Sequence, residues 1–222
     1  MTQPAYHVEP GGDPVEIPVS DTVTLTKFSV GPMDNNVYLL TDGSGTVLVD
    51  AADDADRITD VLAGRTVDTI VTTHRHPDHI RALASLAGST GARLVAGRPD
   101  EEAIAERTGV SSDPVWTGDT VALPGGEQLA VIGLVGHTPG AIALAYRPPG
   151  GGQIQLLTGD SLFPGGPGKT GNPEDFTSLM DDLEERIFGV YDDDTAVHPG
   201  HGDSTTLGAE RPQLGEWRER GY

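Results

Sequence analysis

The 222-residue sequence contains no cysteine. Disulfides, thiolate metal ligands and cysteine nucleophiles are thereby excluded, and any covalent or metal chemistry falls to His, Asp, Ser, Thr or Lys. Positive charge is scarce as well: 14 Lys and Arg stand against 34 Asp and Glu, for a formal net charge of -20. Holding a phosphate backbone depends on Lys and Arg neutralising it, so no nucleic-acid partner is expected. No apolar run is long enough to span a bilayer, and Met1-Thr2-Gln3-Pro4 lacks the basic and apolar regions of a signal peptide. The expectation is a soluble cytoplasmic protein with no membrane partner; nothing in the sequence specifies an oligomeric state. With 36% hydrophobic content and no linker-like break, a single domain over residues 1–222 is expected.

What the sequence does hold is histidine, and in few places. Thr73-His74-Arg75-His76-Pro77-Asp78-His79 packs three imidazoles and a carboxylate into six consecutive positions. Upstream, 68–72 reads as a buried strand; downstream, Ile80, Leu83, Ala84 and Ala87 recur at helical spacing. The cluster therefore falls on a strand-to-helix loop, where catalytic side chains are commonly held by rigid flanks. An extended strand end sends His74 and His76 to one side, while Asp78 and His79, at the start of the helix, point to a second place. Three further segments end strands with candidate ligands: His137 in Val135-Gly136-His137-Thr138-Pro139-Gly140, Asp160 after Leu157-Thr158-Gly159, and His198 and His201 in Val197-His198-Pro199-Gly200-His201-Gly202. Of the seven histidines only His7, expected at the surface, lies outside these segments. A solvated histidine-rich loop or a tag remnant would predict no further ligands elsewhere.

The rest of the chain alternates strands and helices. Residues 1–20, rich in Pro, Gly and Asp, read as an N-terminal arm or edge segment. Strands are expected around Val23, Leu25 and Phe28, over 36–40 and over 46–50, with Asp42-Gly43-Ser44-Gly45 as the turn between the last two. A helix over 55–62, the strand before His74, the helix after His79, a strand over 93–96 and a helix over 99–107 complete the first half. The second half repeats the order loosely, with strands over 120–123, 129–132, 141–146 and 153–157. A helix then starts with Asn172 as N-cap, Pro173 at its first position and Glu174 and Asp175 in its first turn; Phe176, Leu179, Met180, Leu183 and Ile187 form its buried stripe. Strand-rich segments with helices outside imply two sheets face to face, covered by helices on both sides.

His74-Arg75-His76-Pro77-Asp78-His79 resembles the HxHxDH signature of the metallo-β-lactamase superfamily, with every ligand position filled in order. The resemblance implies an αββα sandwich of two facing mixed β-sheets flanked by helices. It also implies that His74, His76 and His137 hold one ion, that Asp78, His79 and His201 hold a second, and that Asp160 bridges them. Imidazole and carboxylate ligands without thiolate suit two zinc ions, and also iron or manganese. Asp160 stands where some β-lactamases of the superfamily carry cysteine, so the site resembles the glyoxalase II type. Asp50 lies where the superfamily places an acid that orients the metal loop, and His198 is expected behind the ligands or at the surface. The segment from Asp160 to Lys169 is similar to the one that, in glyoxalase II, ends in a lysine anchoring the thiol carrier's carboxylate. Lys169 is thus a candidate substrate-binding residue.

The activity implied is hydrolysis of an acyl- or formyl-thioester of a small thiol, glutathione- or mycothiol-type, by a metal-bound hydroxide, with Asp78 or Asp160 moving the proton. The aromatic that glyoxalase II places two residues after its lysine is here Gly171, and only a short tail follows His201. The tail and layout look like small mycothiol-using hydrolases. Three other readings stay open: a mononuclear iron persulfide dioxygenase, a lactone or β-lactam hydrolase, and a non-catalytic metal-binding module. The dioxygenases carry Arg-Thr-Asp-Phe where this chain reads Lys169-Thr170-Gly171-Asn172.

Overall fold

The protein is described from a computed structural model, covering residues 6–221. The expectations about Met1-Thr2-Gln3-Pro4 and the terminal Tyr222 lie outside the described residues. The first sheet runs in chain order: β1 (Val15–Pro18), β2 (Thr24–Val30), β3 (Asn35–Thr41), β4 (Thr46–Val49), β5 (Val67–Thr72), β6 (Arg93–Gly97) and β7 (Asp113–Val115). Its early strands pair antiparallel, and β4 to β7 pair parallel. Strand β4 is buried along its whole length, as a strand covered on both faces must be, and its sequence is accordingly an apolar run rather than an alternation. The arm is partly an edge strand: Val15 to Pro18 pair with β2. Between β3 and β4, Asp42 Oδ1 accepts the Ser44 and Gly45 amides, the side-chain turn the sequence implied.

The second sheet holds β8 (Thr120–Ala122), β9 (Gln128–Gly133), β10 (Ile142–Tyr146), β11 (Gln155–Gly159), β14 (Ala196–Pro199) and β15 (Thr205–Thr206), in the order β15-β14-β11-β10-β9-β8. A small hairpin, β12 (Leu162–Phe163) with β13 (Gly166–Pro167), follows Asp160. The helices are α1 (Ala55–Leu62), α2 (Leu83–Thr90), α3 (Glu101–Thr108), α4 (Pro173–Asp182), α5 (Leu207–Glu210) and α6 (Leu214–Arg220). Asn172 caps α4 by accepting the Asp175 amide at 2.9 Å, and a π-type turn, Leu183–Phe188, prolongs the helix. Among the described residues no helix is long and apolar enough to cross a membrane.

Three apolar layers hold these pieces together. Between the sheets, Leu25, Leu40 and Val71 meet Val131, Leu144 and Leu157. On the outer face of the first sheet, Leu48 and Ile70 pack under Ile58 of α1, Leu83 and Leu86 of α2 and Ile104 of α3. On the outer face of the second, Leu156 and Val197 pack under Leu179 and Met180 of α4 and Trp217 of α6. This is the αββα sandwich of mixed sheets.

Two boundaries differ from the sequence reading. His79 does not open the following helix: Pro77–His79 form a separate 3-10 turn, and α2 begins at Leu83. Its buried residues are Leu83 and Leu86 rather than Ala84 and Ala87. Helix α3 starts at Glu101, with Asp100 at its N-cap position although the Asp100 side chain makes no capping hydrogen bond.

Trp217 is fully buried against Phe188, their rings 6.2 Å apart, and is the main apolar anchor of α6. Truncating such a side chain costs about 3–5 kcal/mol. Trp217→Ala is expected to lower Tm by about 6–20 °C in a calorimetric scan, given about 2–4 °C per kcal/mol at this size. A shift of less than about 2 °C would mean that α6 does not depend on this contact.

Candidate metal centre

The ligand-bearing loops all leave one edge of the sandwich. His74 to His79 follow β5, His137 follows β9, and Asp160 and His201 leave β11 and β14. Strands β11 and β14 are parallel neighbours, and Gly200 N donates to Gly159 O at 2.9 Å. Asp160 and His201 therefore leave the sheet side by side. A Cβ at Gly200 would collide with Asp160 Oδ1 and sit 2.7 Å from the His79 ring, so only glycine fits there. The two sheets are joined at this edge by Ile142 N donating to Thr73 O at 2.9 Å.

His74, His76 and His137 form one group whose ligand atoms lie within 4.8 Å of one another; Asp78, His79 and His201 form another, and His74, His79 and Asp160 link them. Asp160 lies between: its Oδ2 is 3.6 Å from His137 Nε2 and 3.3 Å from His201 Nε2, and its Oδ1 is 3.5 Å from His79 Nε2. Asn35 donates to Asp78 Oδ2 at 3.0 Å and fixes that carboxylate.

The tautomers follow from what lies behind the rings. His79 Nδ1 faces Asp50 Oδ2 at 2.9 Å, His137 Nδ1 faces the Lys169 carbonyl at 2.6 Å, and His201 Nδ1 faces the Met33 carbonyl at 2.8 Å. Carboxylates and carbonyls only accept, so in each case Nδ1 carries the proton and Nε2 turns toward the pocket. His74 Nδ1 meets Thr73 Oγ1 at 3.0 Å, and that hydroxyl's own proton goes to Asp50 Oδ2 at 2.7 Å, so His74 must donate too. In the neutral rings the His74 Nε2 lone pair faces His76 Nδ1 at 3.1 Å, and at 3.2 Å the lone pairs of His79 Nε2 and His201 Nε2 face each other. Such pairs repel unless a cation sits with them. His137 Nε2 and Asp160 Oδ1 are buried with no hydrogen-bond partner, which a metal ion would supply. The residues fit divalent metal.

Charge points the same way. Burial, then the neighbouring imidazoles, holds His74 well below the ordinary histidine range, and burial lowers His76 as well. Burial also opposes the charged form of His79, but the Asp50 and Asp160 carboxylates outweigh it and raise this group to about 10. His74 and His76 are thus held neutral, while His79 draws positive charge.

The sequence-derived residues distribute as follows. The seven candidate ligands, His74, His76, Asp78, His79, His137, Asp160 and His201, come together in this one pocket. Asp50 sits directly behind it, 2% exposed, accepting the Thr73 amide at 2.7 Å as well as His79. His198 is neither at the surface nor in contact with the candidate ligands: it is fully buried, its nitrogens facing Ser204 Oγ and Gln155 Oε1, each at 2.9 Å. Lys169 presents its carbonyl to His137 and leaves its side chain exposed. His7 is exposed, against Asp203 and Glu9.

Sequence reasoning missed the ties behind the loops. Asp100, fully buried, accepts the Arg75 amide at 3.0 Å, the Thr138 hydroxyl at 2.6 Å and the Gly140 amide at 3.0 Å. One carboxylate thus joins the loop of His74 and His76 to the loop of His137. Its position before α3 reads as an ordinary N-cap, which hides the role. The His201 loop is held from the other side: Lys27 Nζ and Asn36 Nδ2 donate to Gly202 O at 2.6 and 3.0 Å, and the Tyr38 hydroxyl donates to Pro199 O at 2.6 Å.

Fold and site together define an αββα protein with a candidate divalent-metal centre. The chain belongs to the metallo-beta-lactamase superfamily, whose family model matches residues 30–202. A hydroxyacylglutathione hydrolase of Acidiphilium cryptum (strain JF-5) is 33% identical over 171 residues, covering 76% of this chain. The chain spans 64% of that relative's length. Among solved structures, TTHA1623 in a di-iron-bound form is 30% identical with a TM-score of 0.66, over 83% of this chain and 96% of that one. ETHE1 from Myxococcus xanthus is 26% identical with a TM-score of 0.70, over 88% and 86% of the two chains.

Asp100→Ala is expected to weaken metal binding at the His74, His76 and His137 group by roughly 10–100-fold, the usual effect of removing a group that orients ligands. Competition titration against a chelator of known affinity measures it; an unchanged titration curve in the folded variant would remove Asp100 from this role.

Proposed function

We propose that the protein is a dinuclear hydrolase of small acyl-thioesters, with His74, His76 and His137 holding one ion, Asp78, His79 and His201 the other, and Asp160 spanning both. The observation that carries the reading is a complete pocket of His and Asp donors, lone pairs inward, in a chain similar to hydroxyacylglutathione hydrolases. Two divalent cations, zinc or iron or manganese, supply Lewis acidity: they lower the pKa of a water in the pocket towards neutrality and polarise a carbonyl.

The chain's own groups do the rest. Asp160 and the imidazoles fix the site without a thiolate or a protein nucleophile, so water attacks directly. The water oxygen adds to the thioester carbonyl carbon, the C–S bond breaks, and a carboxylic acid and a thiol result. Asp78 takes the proton and passes it to the departing sulfur. It is the more accessible of the two pocket aspartates, with 15% of its side chain exposed against 11% for Asp160. Asn35 keeps its carboxylate aimed.

The lactone or β-lactam hydrolase reading uses the same attack on a different acyl group, and a comparison of thioester, lactone and β-lactam turnover separates them. The persulfide dioxygenase reading predicts a single equivalent of iron and oxygen consumption with a persulfide. Elemental analysis of protein purified without added metal is expected to give about two equivalents per chain. His137→Ala is expected to lose one equivalent and Asp160→Ala to weaken both, each lowering thioester hydrolysis at least about 100-fold. Full activity in both variants would sink the proposal.

A further inference from the structure

The loop from His74 to His79 has a second face. Its ligand residues turn into the metal pocket, while Pro77, between His76 and Asp78, lines an open cavity of about 460 Å³ together with Ile80, Arg81, Ala84, Arg107 and Thr108. None of the seven candidate ligands lines it, nor does Lys169. Much of the lining is apolar. Ala84, at a position that helical spacing assigns to the core, is exposed, as is Pro77, and buried Ile80 joins them. Thr108 gives its hydroxyl proton to the Ile104 carbonyl at 2.8 Å.

Two guanidiniums complete the lining, one from the turn before α2 and one from the last turn of α3. Arg81 gives Nη1 to Asp53 Oδ2 at 2.7 Å, so its charge is matched. Arg107 differs. Its Nη1 donates to the Arg75 carbonyl at 2.8 Å, and among the described residues it has no carboxylate partner. Arginines elsewhere do have one, as in Arg93 with Asp113 and Arg218 with Asp181, each at 2.6 Å. A carbonyl orients a guanidinium without cancelling its charge, and the remaining N–H donors keep a fork for a bidentate carboxylate. In a chain with 14 Lys and Arg against 34 Asp and Glu, an unmatched cation beside an apolar cavity suits an anion with an apolar body.

Arg107 also reaches the metal loop. Residue 75 lies between His74 and His76; Asp100 accepts its amide at 3.0 Å, and Arg107 holds its carbonyl. We propose that the cavity is an effector site for a medium-chain monocarboxylate, its head group on Arg107 and its alkyl body against Pro77, Ile80 and Ala84, coupled to the metal centre through residues 75 and 77. A carboxylate on the remaining N–H groups of Arg107 fixes the guanidinium, and a body packed on Pro77 restrains the 3-10 turn that carries Asp78 and His79. Both effects favour the loop arrangement that binds metal. Effector and metal therefore strengthen each other's binding, by the same factor in each direction. The site does not depend on which acyl compound is hydrolysed, since none of the reacting groups lines it.

Calorimetric titration of the zinc-loaded protein tests the site with octanoate, with octanamide, which lacks the charge, and with acetate, which lacks the body. Octanoate is expected to bind at least about tenfold more tightly than either. Arg107→Ala is expected to weaken octanoate roughly tenfold, with Arg107→Lys recovering part of the loss. Ala84→Glu, at an exposed helix position, is expected to block the site by bulk and like charge. Octanoate held equally well by Arg107→Ala and Ala84→Glu would lie elsewhere, as on the metal ions themselves, and would overturn the site, as would equal binding of the three compounds or binding of none. Coupling is read by chelator competition for zinc with and without saturating octanoate. Zinc affinity is expected to rise about fivefold or more with octanoate, and Ala84→Glu to remove that rise while leaving the affinity without octanoate unchanged. Octanoate that binds through Arg107 without moving zinc affinity would rule out the effector role. Neither readout uses thioester turnover, so this site can fail while the hydrolase proposal stands, and the reverse.

Discussion

A nitrogen lone pair must be aimed, and here the aiming is done from behind. His79, His137 and His201 each give Nδ1–H to an acceptor outside the pocket, and His74 gives its own to a hydroxyl already committed to Asp50. No ring can turn without losing a hydrogen bond in a buried or half-buried setting, where an unmade bond costs about 1–3 kcal/mol. The ring nitrogens of the pocket are therefore held in place before any cation arrives. Asp50 is the busiest of the supports, taking the Thr73 amide, the Thr73 hydroxyl and His79. It does so with φ at 60°, a left-handed conformation that costs a non-glycine residue about 1 kcal/mol or more and persists because three hydrogen bonds over-determine it.

Those nitrogens belong to different loops, so the lone pairs converge only if the loops keep their mutual register. Apolar packing sets the sheets about the right distance apart, but it is non-directional and cannot fix a loop to tenths of an ångström. Buried polar ties do that. Asp100 locks the His74 and His76 loop to the His137 loop, and Lys27, Asn36 and Tyr38 lock the His201 loop to β2 and β3. Lys27 shows what this costs: fully enclosed, it is depressed by burial to about 8 from the usual lysine value, so its ammonium is less stable there than in water. A sheet built for stability alone would carry an aliphatic residue at that position. Several of the core's buried polar groups are placed at the edge where the loops emerge.

That division explains what could be read in advance. His74 to His79 were legible because ligand spacing on a strand end is local, and the α4 start was legible because Asn172, Pro173, Glu174 and Asp175 act within one turn. The layering followed from apolar strands and helical stripes. Asp100 was not legible, since a carboxylate before a helix has a common local use and its real partners lie 25 to 40 residues away. His198 misled for the opposite reason: proximity to His201 in sequence suggested a place near the ligands, whereas strand alternation turns its ring into the core beside Gln155. The start of α2 was misplaced because Pro77–His79 close a 3-10 turn of their own, with Asp78 and His79 held by Asn35 and Asp50.

The distribution of charge carries the reasoning furthest from local pattern. An excess of acid over base reads at first as solubility, and on the surface it is that. In the pocket, however, two carboxylates face a shell of imidazoles with the Asp50 carboxylate behind them, so the deficit of positive charge is concentrated where a divalent ion would cancel it. Arg220 and Lys169 reach a neighbouring cavity by opposite routes, one carried by a helix that Trp217 anchors and one by the strand pair that follows Asp160. Lys169, exposed itself, gives its carbonyl to His137 at 2.6 Å, so the segment that follows Asp160 is tied back to the ligand loop it faces.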